Sequence, residues 1–289
     1  MNVLVTGGSG FVGRNLVEYL NPRYNVFAPS HTVLELLDSD AVNTYVVEND
    51  IDVIVHCANV GGSRKNNYDE GRVDVTLKNL QMFFNLSRCL TDDMRMLHMG
   101  SGAEYSRPHW RHKMGEDYFD CYVPEDAYGF SKYVMSKYIE EVDNITCLRL
   151  FGVYGKYEDY NYRFISNAIV KNLLHMPISI NQNVVFDYLY INDLCRVVER
   201  FIKKQPKYKH INVTPTGSIN LKAVAACVNR VSDFRCDIKV LKEGLNTEYT
   251  GDNSRLLEEI PGFMFTPYSE GIRELYEYYK TKKDILCLS

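Results

Sequence analysis

The hydrophobic pattern of the first half of the chain alternates between two periods. Short apolar runs rich in β-branched residues occupy positions 2–6, 24–28, 51–57, 94–99 and 145–151. Runs this short are typical of strands that are buried on both faces of a sheet. Between them, apolar residues recur at helical spacing and predict helices from residue 11 and over about 39–46, 74–89 and 125–142. The alternation predicts an α/β protein with a parallel, doubly wound sheet.

Beyond residue 155 the pattern is less regular. Helices are expected over 162–175, 192–204, 218–231 and 268–281, and short strands over 178–181, 209–213 and 236–241. We expect residues 1–155 to form the sheet domain, with segments near 183–215 returning to it. No flexible linker separates this part of the chain from the rest. Residues 156–289 would form most of a small C-terminal α/β lobe that closes over the strand ends and binds substrate.

The first strand leads into a glycine-rich turn. Residues 3–13 read VLVTGGSGFVG and match the GxGxxG pattern of a dinucleotide-binding Rossmann domain. A tight turn before a helix N-terminus points backbone N–H groups and the positive end of the helix dipole at a pyrophosphate. An ordinary glycine-rich turn is the alternative, but the position after a buried strand favours a dinucleotide. The predicted contacts are Gly7, Ser9, Gly10, Phe11, Val12 and Gly13.

A second candidate feature is a Tyr-x-x-x-Lys spacing, which places Tyr128 and Lys132 on one helix face. Their helix follows the strand that ends at Ser101, on the side of the sheet where the dinucleotide would bind. Ligands of such sheets bind in a crevice at the carboxyl ends of the strands. We expect this crevice between strands one and four, so that Gly7–Gly13 and Ser101 face each other.

The same spacing occurs four more times. Tyr276, Tyr278 and Tyr279 begin matches on a charged C-terminal helix, which we interpret as a solvated face. Tyr133 shares the helix of Tyr128 but should point elsewhere. For Tyr128 itself, the alternative is a helix-start tyrosine that packs on the lobe interface.

The chemistry of a nicotinamide dinucleotide explains why these residue types would be grouped. Moving a hydride between nicotinamide and a sugar C–O centre needs a proton donor or acceptor at the oxygen. The pKa of free tyrosine is about 10, and a nearby lysine ammonium lowers it by favouring the phenolate. A serine hydroxyl such as that of Ser101 can hold the same oxygen in line. No metal is expected, because the chain has no cluster with metal-ligand spacing.

The composition and net charge of the chain disfavour some classes of binding partner. The chain has 289 residues, a net charge of −4 and no basic run, which disfavours nucleic acid and anionic membrane surfaces. We expect no signal peptide, and no apolar stretch is long enough to span a bilayer. The eight cysteines form no CxxC pair and mostly lie in apolar runs, so we interpret them as buried free thiols of a cytoplasmic protein.

Several segments together resemble a known family. In chain order they are TGGSGFVG, HCANVGG at 56–62, GSGAEY at 100–105, YGFSK at 128–132, LRLFGVYG at 148–155 and YINDL at 190–194. This set resembles the extended short-chain dehydrogenase/reductases, in their sugar-nucleotide epimerase/dehydratase branch. LELLDSDAV at 34–42 and VGGSRKNN at 60–67 are most similar to GDP-fucose synthase-like 4-keto-sugar reductases.

The resemblance implies roles for individual residues. Ser101, Tyr128 and Lys132 would form the catalytic triad, and Asp38 would meet the adenine amino group. Tyr128 and Lys132 would also contact the cofactor, together with Leu37, Cys57, Ala58 and Phe151. The helices over 74–89 and 125–142 often pair across a dimer in this branch, which implies a homodimer.

Departures from the family pattern limit the reactions that this chain could catalyse. Dehydratases carry an Asp-Glu pair directly after the catalytic Ser or Thr, whereas this chain has Gly102 and Ala103. The cysteine and histidine with which GDP-fucose synthase epimerises carbons next to the ketone correspond to Ala103 and Arg163, so that step loses its proton carriers. Phe186 replaces an arginine that usually precedes YINDL. Arg163 would either supply that charge to the substrate or be a surface salt-bridge partner. The predicted substrate contacts are Ser101, Gly102, Ala103 and Arg163.

The segment after the second strand bears on the cofactor. NAD enzymes usually place a carboxylate there for the ribose 2′-OH. Residues 28–32 read APSHT, with no carboxylate before Glu35, so a 2′-phosphate would be tolerated. Ser30, His31 or Arg14 could bind it, although His31 could equally be a plain solvent-exposed residue. NADP is therefore favoured, with NAD possible.

The sequence thus predicts NADPH-dependent reduction of a nucleotide-activated 4-keto sugar, with Tyr128 as proton donor. A nucleotide-sugar 4-epimerase with bound NAD would use the same three residues. A non-catalytic dinucleotide-sensing protein on the same fold is the alternative from another class.

Overall fold

The computed structural model describes residues 1–62 and 74–288. Its strands are β1 (Asn2–Thr6), β2 (Asn25–Phe27), β3 (Val53–His56), β4 (Arg95–Ser101), β5 (Ile145–Leu150), β6 (Gly152–Tyr154), β7 (Ile178–Asn183), β8 (Val185–Phe186), β9 (Tyr188–Tyr190), β10 (His210–Val213), β11 (Ile219–Asn220) and β12 (Ile238–Leu245). Its helices are α1 (Phe11–Leu20), α2 (Ser39–Glu48), α3 (Asp74–Arg88), α4 (Ala127–Glu140), α5 (Phe164–Leu173), α6 (Ile191–Lys203), α7 (Leu221–Val231), α8 (Ser254–Glu259) and α9 (Tyr268–Lys280). Residues 63–67 of the similar segment at 60–67 lie outside this description.

The main sheet has six parallel strands in the order β10-β5-β4-β3-β1-β2. This confirms the predicted doubly wound α/β fold. The prediction that the crevice lies between strands one and four is wrong in one respect, because these two strands are not neighbours. The chain returns after β2 and places β3 between β1 and β4. The glycine turn and Ser101 still lie at the same edge of the sheet, separated by two strand spacings, or about 10 Å.

Both faces of the sheet are buried, which explains the continuous apolar runs. Along β1, Val3 and Val5 join a core cluster that includes residues of α1 and α6, whereas Leu4 joins a second cluster with residues of α2, α3 and α4. A strand covered on both faces has no polar side, so alternation disappears from its sequence.

The second half of the chain adds small sheets and a helical layer. β7 pairs with β12 and β6 with β9 in parallel, and β8 pairs with β11 in antiparallel orientation. β10 joins the main sheet beside β5. Residues of α5, α7 and α9 belong to the same large core cluster as α1 and α6. The division into two domains stays a prediction.

Two sequence predictions are corrected by burial. Tyr276 and Tyr279 are only 6% and 3% exposed, so the C-terminal helix buries a tyrosine stripe against the core and is not a solvated face. All eight cysteines are free, but Cys121 and Cys287 are exposed, since both lie in loop segments that no core covers. Among the helices described, none is both long and apolar enough to cross a membrane.

Candidate active site

The glycine turn after β1 forms a surface without side chains at the N-terminus of α1. Gly7 has a φ of +67°, and the Gly10 N–H donates to its carbonyl oxygen at 2.9 Å. A Cβ at Gly13 would lie 2.2 Å from that same oxygen, so only glycine lets the helix approach the turn this closely. Gly10 caps α1 with no side-chain hydrogen bond. The first N–H groups of the helix are thus left to an anion, which fits a dinucleotide pyrophosphate.

The turn packs against the segment that follows β3, which contains Cys57 and Ala58. The predicted contact of these two residues with the cofactor stays a prediction. A Cβ at Gly7 would lie 2.8 Å from the Ala58 nitrogen, whose N–H donates to Thr6 Oγ1 at 3.2 Å. Burial raises the pKa of the Cys57 thiol to about 12. Cys57 is therefore a neutral, apolar side chain at the border of the turn.

The other predicted contacts of the turn differ in exposure. Ser9 is exposed, whereas Phe11 and Val12 are partly buried against the large core cluster. The Arg14 guanidinium lies 3.8 Å from the centroid of the Tyr157 ring, which holds it against a loop of the second half. Contact of these residues with a cofactor stays a prediction.

The segment predicted to meet the adenosine follows β2. Ser30 and His31 are exposed, and Ser30 Oγ lies 2.8 Å from Thr32 Oγ1. Asp38 caps α2, because its Oδ1 accepts two backbone N–H groups of the first turn at 3.0 Å. The Leu37 carbonyl accepts from a glutamine of α3 at 2.7 Å. These bonds fix the segment, and its contact with adenine stays a prediction.

Ser101 ends β4 and begins a short 3₁₀ turn. Its Oγ accepts the Ala103 N–H at 3.1 Å, while its own N–H donates to Glu104 Oε1 at 2.8 Å. This reciprocal capping box fixes Ser101 at the carboxyl edge of the sheet. Gly102 and Ala103, which are predicted to contact substrate, are buried in the turn and carry no acid or base.

The first turn of α4 brings Tyr128 to Ser101. Gly129 allows this approach, since a Cβ there would lie 3.0 Å from the Ala103 carbonyl oxygen. On the other side, a Cβ at Gly62 would lie 2.9 Å from carbons of the Tyr128 ring. Burial raises the pKa of Tyr128, and the neighbouring Ser101 side chain opposes that shift. The two hydroxyls are therefore adjacent.

Lys132 lies one helical turn further and is buried. Its Nζ donates to the Met99 carbonyl oxygen at 2.8 Å and lies 5.8 Å from the centroid of the Tyr128 ring. Burial lowers the pKa of Lys132 to about 8, so the side chain is mostly charged at neutral pH. Tyr133 points elsewhere, as predicted, and its hydroxyl donates to Asp120.

A second phenol lies at the same place and was missed from sequence. A Cβ on Gly102 would lie 2.5 Å from Tyr249 Oη. Burial raises the pKa of Tyr249, and the neighbouring Ser101 side chain is among the groups that oppose the shift. Trp110 stacks on Tyr249 with ring centroids 4.0 Å apart. Tyr249 stands in a short polar segment with no motif or periodicity, so nothing in the sequence marked it.

Phe151, a predicted cofactor contact, follows β5 and packs on this aromatic group. Its ring centroid lies 4.9 Å from that of Tyr249, and a Cβ on Gly251 would lie 2.5 Å from the ring. These contacts are with the segment that carries Tyr249, and a contact with the cofactor stays a prediction.

Arg163 immediately precedes α5 and lines a cavity of about 380 Å³. Its positive charge is among the effects that lower the pKa of Tyr128. Its role toward substrate stays a prediction. Phe186 also lines the cavity and lies 6.2 Å from Tyr249, between ring centroids. The remaining lining is mostly amide and apolar side chains: Asn161, Asn167, Asn181, Gln182, Asn246, Ile180, Val184 and Leu221.

Residues 3–214 match the model of the NAD dependent epimerase/dehydratase family. The chain belongs to this family. The match covers the glycine turn, Ser101, Tyr128 and Lys132. As a member of the epimerase/dehydratase family, the protein is an enzyme. Among the residues described, no group of three or more His, Cys, Asp or Glu side chains is placed to hold a metal.

Individual relatives are more distant. A GDP-L-colitose synthase of Yersinia pseudotuberculosis is 26% identical over 190 residues, and the match spans 60% of this chain and 60% of that protein. A GDP-6-deoxy-D-talose 4-dehydrogenase of Aggregatibacter actinomycetemcomitans is 24% identical over 294 residues, 96% of this chain and 97% of that protein. Among solved structures, a GDP-mannoheptose C4 reductase from Campylobacter jejuni with NADP bound has a TM-score of 0.83 at 19% identity, covering 96% of this chain and 98% of that one. That likeness shows the fold.

Proposed function

We propose that this protein is an NADPH-dependent reductase of a nucleotide-activated 4-keto sugar. The observation that carries the proposal is the convergence of the Ser101 and Tyr128 hydroxyls with the Lys132 ammonium at the strand edge that also carries the glycine turn. The names of the relatives support it, since one is a GDP-sugar 4-dehydrogenase and the similar structure is a GDP-sugar C4 reductase with NADP.

Some residues of the site bind the cofactor, and others orient the substrate and transfer a proton to it. When bound, NADPH supplies the hydride that the ketone carbon receives. Tyr128 gives its proton to the ketone oxygen, and Ser101 holds that oxygen in line. The Lys132 ammonium stabilises the phenolate left on Tyr128 and holds the nicotinamide ribose. The glycine turn holds the pyrophosphate.

The coenzyme preference follows from the segment after β2. Ser30 and His31 are exposed, and no carboxylate precedes Glu35 in that segment. A 2′-phosphate therefore meets no negative charge there, and hydroxyl and imidazole groups are available to it. NADPH is the proposed coenzyme, with NADH as a weaker substitute.

The nucleotide-sugar end fits the cavity beside α5. Arg163 provides a positive charge for the diphosphate in place of the family arginine that Phe186 replaces. The amide side chains of the lining suit the edges of a nucleobase. Because Gly102 and Ala103 provide no acid or base, the substrate is reduced without dehydration or epimerisation of the neighbouring carbons.

We also propose a cytoplasmic homodimer that forms through α3 and α4. Leu77 on α3 is 66% exposed and Phe130 on α4 is 38% exposed, which leaves apolar surface for a second copy to cover. The free cysteines fit a reducing compartment.

The test is NADPH consumption with a panel of nucleoside diphosphate 4-keto sugars, compared with NADH. We expect turnover on at least one GDP-linked 4-keto sugar, faster with NADPH, and its loss in Tyr128→Phe. Binding of NADPH without turnover on any member would instead support the dinucleotide-sensing alternative. Tightly held NAD after purification, with interconversion of C4 epimers and no net NADPH consumption, would support the 4-epimerase.

A further inference from the structure

A buried ion pair that the proposed reaction does not use lies behind Ser101. Glu104 Oε2 accepts the Arg149 Nε–H at 2.6 Å, and both side chains are 0% exposed. The Ser136 hydroxyl donates to the same oxygen at 2.6 Å, and the Ser101 N–H donates to Oε1 at 2.8 Å. One carboxylate thus joins the end of β4, α4 and β5.

The surrounding chain leaves room for this carboxylate and fixes its partner. A Cβ on Gly100 would lie 2.6 Å from Glu104 Oε1, so a side chain there would displace it. Arg149 Nη2 lies 3.1 Å from His210 Nδ1, and Nη1 donates to the Tyr105 hydroxyl at 3.3 Å. A buried ion pair contributes little net stability compared with apolar side chains of the same size. Its effect on the groups around it therefore matters more than its contribution to the fold.

The group it affects is the buried lysine of the site. Lys132 Nζ donates to the Met99 carbonyl oxygen at 2.8 Å, and Glu104 Oε1 lies against the next residue, Gly100. The two charged groups therefore lie on the same stretch of β4. Burial lowers the pKa of Lys132, and the negative charge of Glu104 is the largest effect that opposes this. The other titratable groups around Lys132 are neutral, because burial lowers the histidine pKa values and raises those of the thiols. They are His56 and Cys57 at the end of β3, His98 on β4, Cys147 on β5 and Tyr128 on α4.

We propose that Glu104 is a positioning residue that fixes Ser101 through its backbone N–H and holds a negative charge close to the Lys132 ammonium. Arg149 holds the carboxylate in that place. The catalytic consequence rests on the proposed function, but the protonation of Lys132 is measurable without a sugar substrate.

The experiment compares the wild-type protein with Glu104→Gln, which removes the charge and keeps the shape. The titration of Lys132 is followed by NMR of ¹³C-labelled lysine side chains, and its signal is assigned by its loss in Lys132→Met. In the wild type we expect this signal to titrate at about pH 8, because burial lowers the pKa of Lys132. In Glu104→Gln the ammonium loses its stabilising charge, so we expect the midpoint to fall by about one pH unit or more. The pH at which NADPH binding weakens should fall with it.

A second variant covers the case in which Glu104→Gln does not fold around an unpaired Arg149. Glu104→Gln with Arg149→Met replaces the pair by neutral groups, which buried sites often tolerate, and the midpoint should move in the same direction. Asp187→Asn is the control, because it breaks the ion pair at 2.9 Å between the buried Asp187 and the partly buried Lys113 and should leave the Lys132 midpoint unchanged.

An unmoved Lys132 midpoint in either folded variant would overturn the proposal, even if turnover fell. Failure of both variants to fold would also overturn it, because the pair would then be needed for the fold itself. A shifted midpoint in a protein that reduces no 4-keto sugar would leave this inference standing and reject the proposed function.

Discussion

The two sides of the cleft are built in different ways. On the dinucleotide side, the binding surface is backbone, created by four glycines within residues 7–13 and by the start of α1. On the substrate side, the surface is made of side chains from separate segments, with Ser101 at the end of β4, Tyr128 on α4 and Tyr249 near the C-terminal end. The residues of the backbone surface are close together in the sequence, and a side chain added at one of its glycines would block it. The residues of the side-chain surface are brought together by the fold, and each of them can be substituted without changing the others.

Removal of the Tyr128 hydroxyl should have the largest effect. Tyr128→Phe eliminates the proton donor, so kcat for 4-keto sugar reduction should fall by about 10³-fold, within the usual range for a lost general acid. The Kd for NADPH should change little, because the glycine turn and Lys132 are untouched. Tyr133→Phe is the control, since that hydroxyl donates to Asp120, and it should keep wild-type kcat. Equal activity of the two variants would contradict the assignment.

One methyl group at Gly13 should disable the other side of the cleft. The new Cβ would lie 2.2 Å from the Gly7 carbonyl oxygen, so α1 and the turn must separate. We expect NADPH affinity, measured by nicotinamide fluorescence, to fall by about 100-fold, which corresponds to about 2.7 kcal/mol. In Gly217→Ala the added Cβ meets nothing within 4 Å, so affinity should be unchanged. NADPH binding by Gly13→Ala at wild-type strength would show that the cofactor does not use this turn.

The hydroxyl of Tyr249 should matter less than that of Tyr128. Tyr249→Phe removes the hydroxyl group beside Ser101 and Gly102 and keeps the stacking on Trp110. We expect kcat/KM for the sugar to fall by about tenfold, as for the loss of one hydrogen bond of about 1.4 kcal/mol, with NADPH affinity unchanged. A fall in NADPH affinity in place of kcat/KM would move Tyr249 to the dinucleotide side.

The smallest effect is expected at the rim of the cavity. Arg163→Met removes an exposed positive charge that would face the diphosphate, so KM for the nucleotide sugar should rise by about fivefold with little change in kcat. Added salt should weaken wild-type binding and affect the variant less. Arg235→Met, at an exposed position outside the cavity, is the control. An unchanged KM in Arg163→Met would assign the arginine to the surface.

The contrast also explains what the sequence could predict. The glycine turn, Ser101, Tyr128 and Lys132 were found because each belongs to a short segment whose pattern carries its own geometry. Sheet order carries no such local signal, and so the insertion of β3 between β1 and β4 was missed.

Long-range pairing accounts for most of the other omissions. β8 and β11 are two residues long and exist because they pair with each other, while Tyr249 is fixed by a bridge to Phe186. Glu104 looks like an ordinary loop carboxylate until β5 brings Arg149 to it. The burial of the α9 tyrosines was not predicted, because tyrosine occurs both in hydrophobic cores and at solvent-exposed surfaces. Only the packing of the helix against the core determines which tyrosines are buried.

The central claim is that the cleft reduces a sugar ketone at C4, with its proton from Tyr128. The most direct measurement is NMR of the product formed from a GDP-linked 4-keto sugar and NADPH that carries deuterium at the transferable nicotinamide position. The account predicts one deuterium at C4 of the sugar, and its absence from the same incubation with Tyr128→Phe. Deuterium at another carbon, or an unlabelled product, would contradict the account.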